Sequence, residues 1–203
     1  MIIELAGLPG AGKTTLRKAL KYPAGGKGSV SLLQLRADGA FRRAARSLLC
    51  LAASARPLRI NRFTRAFNAA VLLRHYQTGT GVIVLDQGMV QKVWSLLADA
   101  DAYQAEALDR LLSDLVPFAP DHLVWLETPL DMAVTRMGKR PDGNSRYDNL
   151  PEDDARRLLT GRADLLRTIA ETYAAKAGLS LFILDGTADV HTNAAELDRL
   201  ISG

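Results

Sequence analysis

An eight-residue loop near the N-terminus carries the residue types that bind phosphate. It fills every fixed position of the pattern G-x-x-x-x-G-K-[ST] with the residues Gly7-Leu8-Pro9-Gly10-Ala11-Gly12-Lys13-Thr14. The glycines let consecutive backbone N–H groups surround a phosphate without Cβ clashes, and Lys13 adds a positive charge at the start of the following helix. The hydroxyl of Thr14 is of the kind that ligates Mg²⁺ beside a nucleotide. We therefore predict a site for ATP and Mg²⁺ that comprises this loop and Thr15; the alternative is a glycine-rich turn that only joins a strand to a helix.

A second reactive group is the carboxylate of Asp86, which ends the apolar run 82–86. In residues 1–98 the other acidic residues are Glu4, inside the first apolar run, and Asp38. A nucleotide site needs a carboxylate near its metal ion, and ligands of open α/β sheets bind at the carboxyl ends of strands. We predict that Asp86 holds Mg²⁺ through water, accepts the proton of an attacking hydroxyl, or does both. The alternative is a turn residue in the sequence Asp-Gln-Gly.

Five short apolar runs predict the strands that must position these groups: residues 2–6, 30–35, 82–86, 122–127 and 180–185. Continuous rather than alternating apolar runs are typical of parallel strands that are covered on both faces. The segments between them have the period of amphipathic helices, at 13–20, 41–52, from 60 onward, 103–116 and 151–177. Thr128 before Pro129 predicts a further helix with the Thr128 hydroxyl as its N-cap. The alternation predicts one α/β domain over residues 1–203.

Several apolar side chains are predicted to lie in the core. Phe63 and Phe67 are one helical turn apart and could clamp a planar acceptor. Their spacing favours core packing instead, on a stripe shared with Ile60, Ala70 and Val71. The same core assignment is made for Cys50, Trp94 and Trp125.

Composition narrows the class of protein. The 203 residues are 48% hydrophobic and 24% charged, as in an ordinary globular domain. The single cysteine excludes an internal disulfide framework and a cysteine-rich zinc site, and the three histidines are scattered. No apolar run approaches the ~18 residues that span a bilayer, and the N-terminus has no secretion-signal pattern. We therefore expect a cytoplasmic protein.

The net charge of +4 is distributed unevenly along the chain. Residues 1–98 hold 15 Lys and Arg against 3 acids, whereas residues 99–203 hold 11 against 19. Within the basic half, residues 36–74 contain nine arginines and one acid, Asp38. This basic insert (residues 36–80) has four open interpretations: a site for an anionic acceptor, a surface that lies on acidic lipid, a nucleic-acid surface, or arginines that merely solvate the polar faces of helices.

These features together resemble a known family. The phosphate loop that begins at residue 7, the strand that ends in Asp86-Gln87-Gly88, Thr128-Pro129, the segment Thr135-Arg136-Met137-Gly138-Lys139-Arg140, and Asp185-Gly186-Thr187 resemble the P-loop small-molecule kinases. Within these, the chain most resembles the thymidylate kinase and deoxynucleoside kinase group. The likeness extends over nearly the whole chain, but only the phosphate loop is a tight motif.

The resemblance implies a three-layer P-loop NTPase fold, with a five-stranded parallel sheet in the order 2-3-1-4-5 and helices on both faces. It implies that Arg136 stacks on or flanks the adenine, and that Gly186, Thr187 and Ala188 contact the adenine edge. Arg140 and Arg146 would belong to a short lid, residues 137–150, that closes over the phosphates and excludes water. The basic insert would carry the acceptor-binding helices, and a homodimer is implied as well.

Two positions depart from the family. Its third strand is followed by an acid and then an arginine, whereas this chain has Gln87 after Asp86. Its second strand ends in an acid and a proline, whereas this chain has Gln34-Leu35-Arg36. Both family positions help to hold the acceptor, so the acceptor stays open. We predict Mg²⁺-dependent transfer of the γ-phosphoryl group of ATP to a small nucleoside, nucleotide or other hydroxyl- or phosphate-bearing acceptor. The alternative is a non-kinase P-loop NTPase or regulatory module whose basic insert binds nucleic acid or anionic lipid.

Overall fold

Four parallel strands form a sheet at the centre of the fold. The computed structural model describes residues 1–22, 38–78, 81–139 and 151–202. The strands are β1 (Ile2–Ala6), β2 (Ile83–Leu85), β3 (His122–Glu127) and β4 (Leu181–Asp185), and their order across the sheet is β2-β1-β3-β4. All three pairings are parallel. The parallel α/β architecture and the predicted order of these four strands are therefore confirmed.

The described sheet has four strands and not the predicted five. The missing strand was predicted at 30–35, which lies outside the described residues. In the predicted order that strand would lie next to β2, at the edge of the sheet. The fifth strand stays a prediction.

Helices pack on both faces of the sheet because β1 and β3 are apolar on both sides. On one face, Ile3 and Leu5 pack with Leu16 and Leu197, which belong to α1 (Lys13–Ala19) and α8 (Val190–Ser202). On the other face, the strands pack against a larger cluster of helices. These are α2 (Gly39–Ser54), α3 (Ile60–Thr78), α4 (Met89–Leu97), α5 (Ala105–Asp114), α6 (Leu130–Gly138) and α7 (Glu152–Ala177), with a 3₁₀ turn at Val116–Phe118. The result is a three-layer arrangement.

Helix α3 turns to the core a face that matches the predicted one only in part. Ile60 is 88% exposed and Phe67 is 53% exposed, so their core assignment is wrong, whereas Ala70 is buried and Phe63 packs partly buried against the core. The buried positions are Arg62, Ala66, Ala69, Ala70 and Leu73, which also recur at helical spacing. Their small alanines let α2 and α3 approach closely. Cys50 is likewise exposed rather than buried, whereas Trp94 and Trp125 are buried as predicted.

Three further helices differ from the sequence prediction. Helices α4 and α8 were not predicted, and none of the nine residues of α4 is exposed. Helix α6 begins at Leu130 with Pro129 at the N-cap position, and Thr128 does not cap it. The Thr128 hydroxyl donates instead to the carbonyl oxygen of Ala11, at 3.3 Å. This bond to Ala11 takes the place of the local cap, and it ties the end of β3 to the phosphate loop.

Among the helices that the structure describes, none is both long enough and apolar enough to cross a bilayer.

Candidate active site

The phosphate loop joins the end of β1 to the start of α1, as predicted. Its three glycines adopt φ angles of 140° at Gly7, 87° at Gly10 and 102° at Gly12, which side chains rarely tolerate. A Cβ atom at Gly10 would lie 2.1 Å from the carbonyl oxygen of Ala133 in α6. The loop is therefore pressed against α6, and only glycine allows this approach.

Lys13 is the first residue of α1, and it is largely buried. Its Nζ donates to the carbonyl oxygens of Gly7 at 2.6 Å and Leu8 at 2.8 Å. The ammonium group thus lies across the same loop whose N–H groups would surround a phosphate. A cation at this place, together with the helix N-terminus, favours a polyphosphate.

Thr14 and Asp86 meet at the rim of this loop. The Thr14 hydroxyl donates to Oδ2 of Asp86 at 2.8 Å, and Nε of Arg17 lies 3.8 Å from the same oxygen. A hydroxyl and a carboxylate are hard oxygen ligands of the kind that Mg²⁺ takes, usually with nucleotide phosphates and water completing its shell. The pair therefore fits the predicted metal. The part of the chain that the structure describes contains no group of three or more His, Cys, Asp or Glu that could hold a metal ion alone.

Glu4 is a buried carboxylate whose importance the sequence interpretation missed. Its Oε1 accepts from the backbone N–H of Val90 at 2.7 Å, and its Oε2 accepts from the Tyr76 hydroxyl at 2.6 Å. Tyr76 in turn accepts from the N–H of Met89 at 3.1 Å. Burial raises the pKa of Glu4, while the hydrogen bonds from Tyr76, Val90 and Met89 oppose this rise. Glu4 thus satisfies the N-terminus of α4, just after the turn that carries Asp86.

Gly88 shows how tightly that turn is packed. A Cβ atom at Gly88 would lie 2.1 Å from Cδ of Glu4. The signal available in the sequence was an acid inside a strand of otherwise apolar residues. Its partners Tyr76 and Val90 are 72 and 86 residues away, so the sequence could not reveal them.

Lys92 is a second residue that the sequence interpretation missed. It lies on the first turn of α4, where its N–H donates to the carbonyl oxygen of Gly88 at 3.1 Å. Burial lowers the pKa of Lys92, and the negative charge of Asp86 opposes this fall. The half-buried side chain of Lys92 therefore places a positive charge within electrostatic range of the candidate catalytic carboxylate.

The residues predicted for the adenine side also come together. Nη1 of Arg136 donates to the carbonyl oxygen of Gly186 at 2.8 Å and to that of Ala11 in the phosphate loop at 3.4 Å. A Cβ atom at Gly186 would lie 1.9 Å from Oγ1 of Thr128. The turn after β4 is thus held against the phosphate loop, and Arg136 joins the two.

The turn itself is closed by Asp185. Its Oδ1 accepts from the hydroxyl and the N–H of Thr187, at 2.7 Å and 2.8 Å, and these bonds lower the pKa of Asp185. Ala188 donates its N–H to the carbonyl oxygen of Asp185 at 3.1 Å. Contact of this turn with adenine stays a prediction. Arg140 and Arg146, and with them the predicted lid, lie outside the described residues.

Three arginines of the basic insert bind one aspartate. Arg62, which is completely buried, lies 3.0 Å from Asp99; Arg65 lies 2.8 Å and Arg59 3.9 Å from it. Burial alone would raise the pKa of Asp99, but the hydrogen bonds from Arg65 and Arg62 outweigh it and hold the pKa at about 2. These arginines stabilise the fold.

This arginine cluster is remote from Asp86. Tyr76 contacts Met89 at the beginning of α4, whereas Arg65 donates to the carbonyl oxygen of Ser95 near the end of α4. Helices α3 and α4 are therefore antiparallel, and the cluster lies at the end of α4 away from the turn of Asp86. The lipid, nucleic-acid and homodimer predictions for the protein stay predictions.

Comparison with known proteins agrees with this geometry. No protein-family model matches the chain. An adenylate kinase from Bifidobacterium longum (strain NCC 2705) is 37% identical over 91 residues, which make up 44% of this chain and 46% of that protein. The chain thus matches less than half the length of this relative.

Two solved structures match over the full chain. The structure of deoxyadenosine kinase from M. mycoides with bound dATP has a TM-score of 0.58 at 16% identity, and covers 100% of both chains. The same enzyme with bound dCTP has a TM-score of 0.57 at 15% identity, over 100% of this chain and 99% of that one. At this identity the likeness concerns the fold. The resemblance predicted from the sequence is therefore confirmed at the level of the fold: the chain folds like these deoxyadenosine kinase structures.

Proposed function

We propose that this protein is a kinase that transfers the γ-phosphoryl group of ATP, with Mg²⁺, to a small acceptor. The observation that carries the proposal is the contact of Thr14 with Asp86 at the rim of the phosphate loop. It brings a metal-binding hydroxyl, a carboxylate and the loop lysine into one site. Those are the parts that phosphoryl transfer requires.

Each part has a defined task. The backbone N–H groups of the loop and the ammonium of Lys13 bind the phosphates and offset their negative charge. Thr14 and Asp86 would hold Mg²⁺, and the ion would supply positive charge that offsets the charge of the phosphates. When the acceptor is a hydroxyl, Asp86 takes its proton as the new oxygen–phosphorus bond forms and the bond to ADP breaks.

Hydrogen bonds hold the start of α4, directly after the turn that carries Asp86. The carboxylate of Glu4 and the hydroxyl of Tyr76 bind the first N–H groups of this helix. A turn anchored in this way needs little reorganisation before the reaction, which supports Asp86 as the proton acceptor.

The test is the release of ADP from MgATP in the presence of a panel of nucleosides, nucleotides, sugars and sugar phosphates. We expect release to depend on one class of small acceptor and to stop when EDTA removes Mg²⁺. Lys13→Ala should lower the transfer rate by ~100-fold or more, on the scale of other electrostatic clamps. Lys18→Ala, on the exposed side of the same helix, is the control and should retain the rate.

Two results would contradict the proposal. One is a transfer rate in Lys13→Ala equal to that of the wild type. The other is ATP hydrolysis that ignores every small acceptor but is stimulated by RNA or anionic vesicles, which would favour the non-kinase alternative.

A further inference from the structure

Two residues of α1 contact the same oxygen of Asp86. The Thr14 hydroxyl donates to Oδ2 at 2.8 Å, and Nε of Arg17 lies 3.8 Å from that atom, within ion-pair distance. Thr14 and Arg17 are three residues apart in α1, so they lie on the same face of this helix. The carboxylate of Asp86 is therefore held against α1 by a hydroxyl and by a permanent cation.

The guanidinium of Arg17 pairs with this carboxylate and with no other in the described ranges. The side chains of Arg17 and Asp86 are 20% and 28% exposed, so salt and solvent screen their attraction less than that of a fully exposed pair. Gln87, which follows Asp86 in the chain, is uncharged. The cation at ion-pair distance from Asp86 thus comes from α1.

Arg17 is placed to act on the carboxylate rather than on the phosphates. Helix α1 begins with Lys13, whose ammonium lies across the loop. Arg17 is four residues later, about 6 Å further along the helix axis. Helical side chains lean towards the N-terminus of their helix, and the side chain of Arg17 ends beside Asp86. Lys13 and Arg17 therefore have separate partners, the loop and the carboxylate.

The second oxygen of Asp86 is not used by these contacts. Within the part of the chain that the structure describes, Oδ1 of Asp86 accepts no hydrogen bond. Since the two oxygens of a carboxylate move together, contacts that fix Oδ2 also fix the direction in which Oδ1 points. Asp86 thus has one oxygen bound to α1 and one that remains for a reacting group.

We propose that Arg17 is a positioning residue for Asp86. With Thr14 it ties Oδ2 to α1. It thereby orients Oδ1 to take the proton of an acceptor hydroxyl, while the oxygen–phosphorus bond to the acceptor forms and the bond to ADP breaks. The inference rests on the proposed kinase function and deepens it, because it assigns the residue that orients the proton acceptor.

Unfolding of the ligand-free protein tests the contact independently of activity. A double-mutant cycle compares Arg17→Met in the wild type and in Asp86→Asn by urea unfolding at neutral pH. We expect Arg17→Met to lower the folding equilibrium constant at least about twofold more in the wild type, because only the charged carboxylate forms the ion pair. Equal effects in the two backgrounds would mean that the pair does not form, and would overturn the proposal.

Steady-state kinetics tests the role in the reaction. The acceptor is the compound of the panel described above that stimulates ADP release most strongly. Arg17→Met should lower kcat about five- to tenfold, as the loss of one coupling within such a network allows, and should change KM for MgATP by less than about twofold. The KM is retained because Lys13 and the loop still bind the phosphates. A purely structural role would lower the amount of folded protein and not its kcat.

Two variants control for the charge of Arg17. Arg17→Lys should recover most of kcat, because the lysine ammonium is one bond further from the backbone than the arginine Nε and can reach Asp86. Lys18→Met removes a charge from the neighbouring exposed position, in the same last turn of α1. It should retain kcat, and a loss as large as that of Arg17→Met would show a general effect of charge and overturn the proposal.

The same double-mutant cycle, applied to kcat, shows whether Arg17 acts through Asp86. In the Asp86→Asn background, Arg17→Met should lower kcat by no more than about twofold. The proposal is overturned if the loss persists in full in that background, or if Arg17→Met does not lower kcat in the wild type.

Failure of the kinase function has a different signature, because then no compound of the panel stimulates ADP release in the wild type. The positioning role would fail with it, whereas the unfolding cycle would still report the ion pair. If ADP release responds to an acceptor and Arg17→Met retains kcat, the kinase function stands and the positioning role alone fails.

Discussion

The hydroxyl of Thr14 donates a 2.8 Å hydrogen bond to Oδ2 of Asp86, across 72 residues of sequence. Thr14 lies on the first turn of α1, and Asp86 directly follows β2. Because β2 pairs with β1, the strand that leads into the phosphate loop, the end of β2 comes to the rim of that loop. The carboxylate of Asp86 thereby lies at the rim of the loop, as the proposed metal-binding and proton-accepting roles require.

The first prediction concerns the charge of this carboxylate. Asp86→Asn keeps an oxygen that accepts from Thr14 but removes the negative charge and the capacity to take a proton. We expect the rate of phosphoryl transfer to fall by ~100-fold or more, the scale of general-base catalysis, with little change in melting temperature. The measurement is ADP release at saturating acceptor. Asp101→Asn, at an exposed position, should retain the rate, and a rate for Asp86→Asn within twofold of the wild type would refute the role of Asp86.

The second prediction concerns the close contact of the phosphate loop with α6. Gly10→Ala introduces a Cβ atom at a φ of 87°, 2.1 Å from the carbonyl oxygen of Ala133. The loop must shift, so we expect weaker ATP binding and a loss of about 2–4 kcal/mol in the free energy of unfolding. Denaturant unfolding and nucleotide titration measure both effects.

Gly161→Ala is the control for that substitution. Gly161 lies inside α7, where a Cβ atom would meet nothing within 4 Å. Alanine there should stabilise the protein by about 0.5–1 kcal/mol through helix propensity. Equal effects of the two substitutions would contradict the close approach of the loop to α6.

The phosphate loop and the positions of the four described strands could be predicted because their signals are local. The spacing of Gly7, Gly12 and Lys13 is fixed by the chemistry of phosphate binding, and the structure gives the loop the expected strand and helix on either side. The order of the strands came instead from the resemblance to the kinase family. Asp86 was identified because it ends an apolar run and few acids compete with it in the first half of the chain.

The remaining features depend on contacts between distant segments. A periodic stripe through Ile60 and Phe67 satisfies helical spacing, but the buried face of α3 is the one that carries Ala66, Ala69 and Leu73. The Thr128 hydroxyl, which was predicted to cap α6, donates instead to the carbonyl oxygen of Ala11 in the phosphate loop. In the sequence, Glu4 is an isolated charge inside an apolar strand. Only the folded chain brings Tyr76 and Val90 to it as hydrogen-bond donors. Periodicity describes one element and does not reveal what packs against it.

The third prediction concerns the hydroxyl of Tyr76. Tyr76→Phe removes the donor to Oε2 of Glu4 and the acceptor of the Met89 N–H. Leaving buried polar groups without these partners should cost about 2–3 kcal/mol of the free energy of unfolding. Tyr103→Phe is the control, because Tyr103 is half-buried and its hydroxyl makes no hydrogen bond to any residue that the structure describes.

The penalty for Tyr76→Phe should depend on pH. Burial raises the pKa of Glu4, and the hydrogen bond from Tyr76 partly offsets this rise, so the variant should have a still higher pKa at Glu4. A carboxyl group whose folded pKa is raised loses stability as the pH rises from its unfolded pKa toward the folded one, so the penalty should be smallest at acidic pH and grow as the pH rises. Urea unfolding over a series of pH values measures it, and a constant penalty would show that the hydroxyl does not act on the charged form of Glu4.

The last prediction concerns Asp99 and its three arginines. The pKa of Asp99 is lowered from 3.8 to about 2, so this aspartate stabilises the fold above pH 4 and loses its contribution as the pH falls from about 4 to 2. Since Asp99 keeps some access to solvent, we expect about 1–2 kcal/mol rather than the full value of the shift. The difference in unfolding free energy between the wild type and Asp99→Asn should therefore be largest at pH 6 and shrink at pH 2.5.

Asp109→Asn is the control for Asp99→Asn, because Asp109 forms an exposed ion pair with Lys176, worth less than ~1 kcal/mol. A difference for Asp99→Asn that stays constant with pH would contradict the assigned ion pairs. Activity tests the location of the cluster. Because Asp99 lies at the end of α4 away from Asp86, the rate of ADP release per folded molecule should be unchanged in Asp99→Asn. A large loss of that rate would instead place Arg62 and Arg65 in the acceptor site, and would restore the acceptor interpretation of the basic insert for these residues.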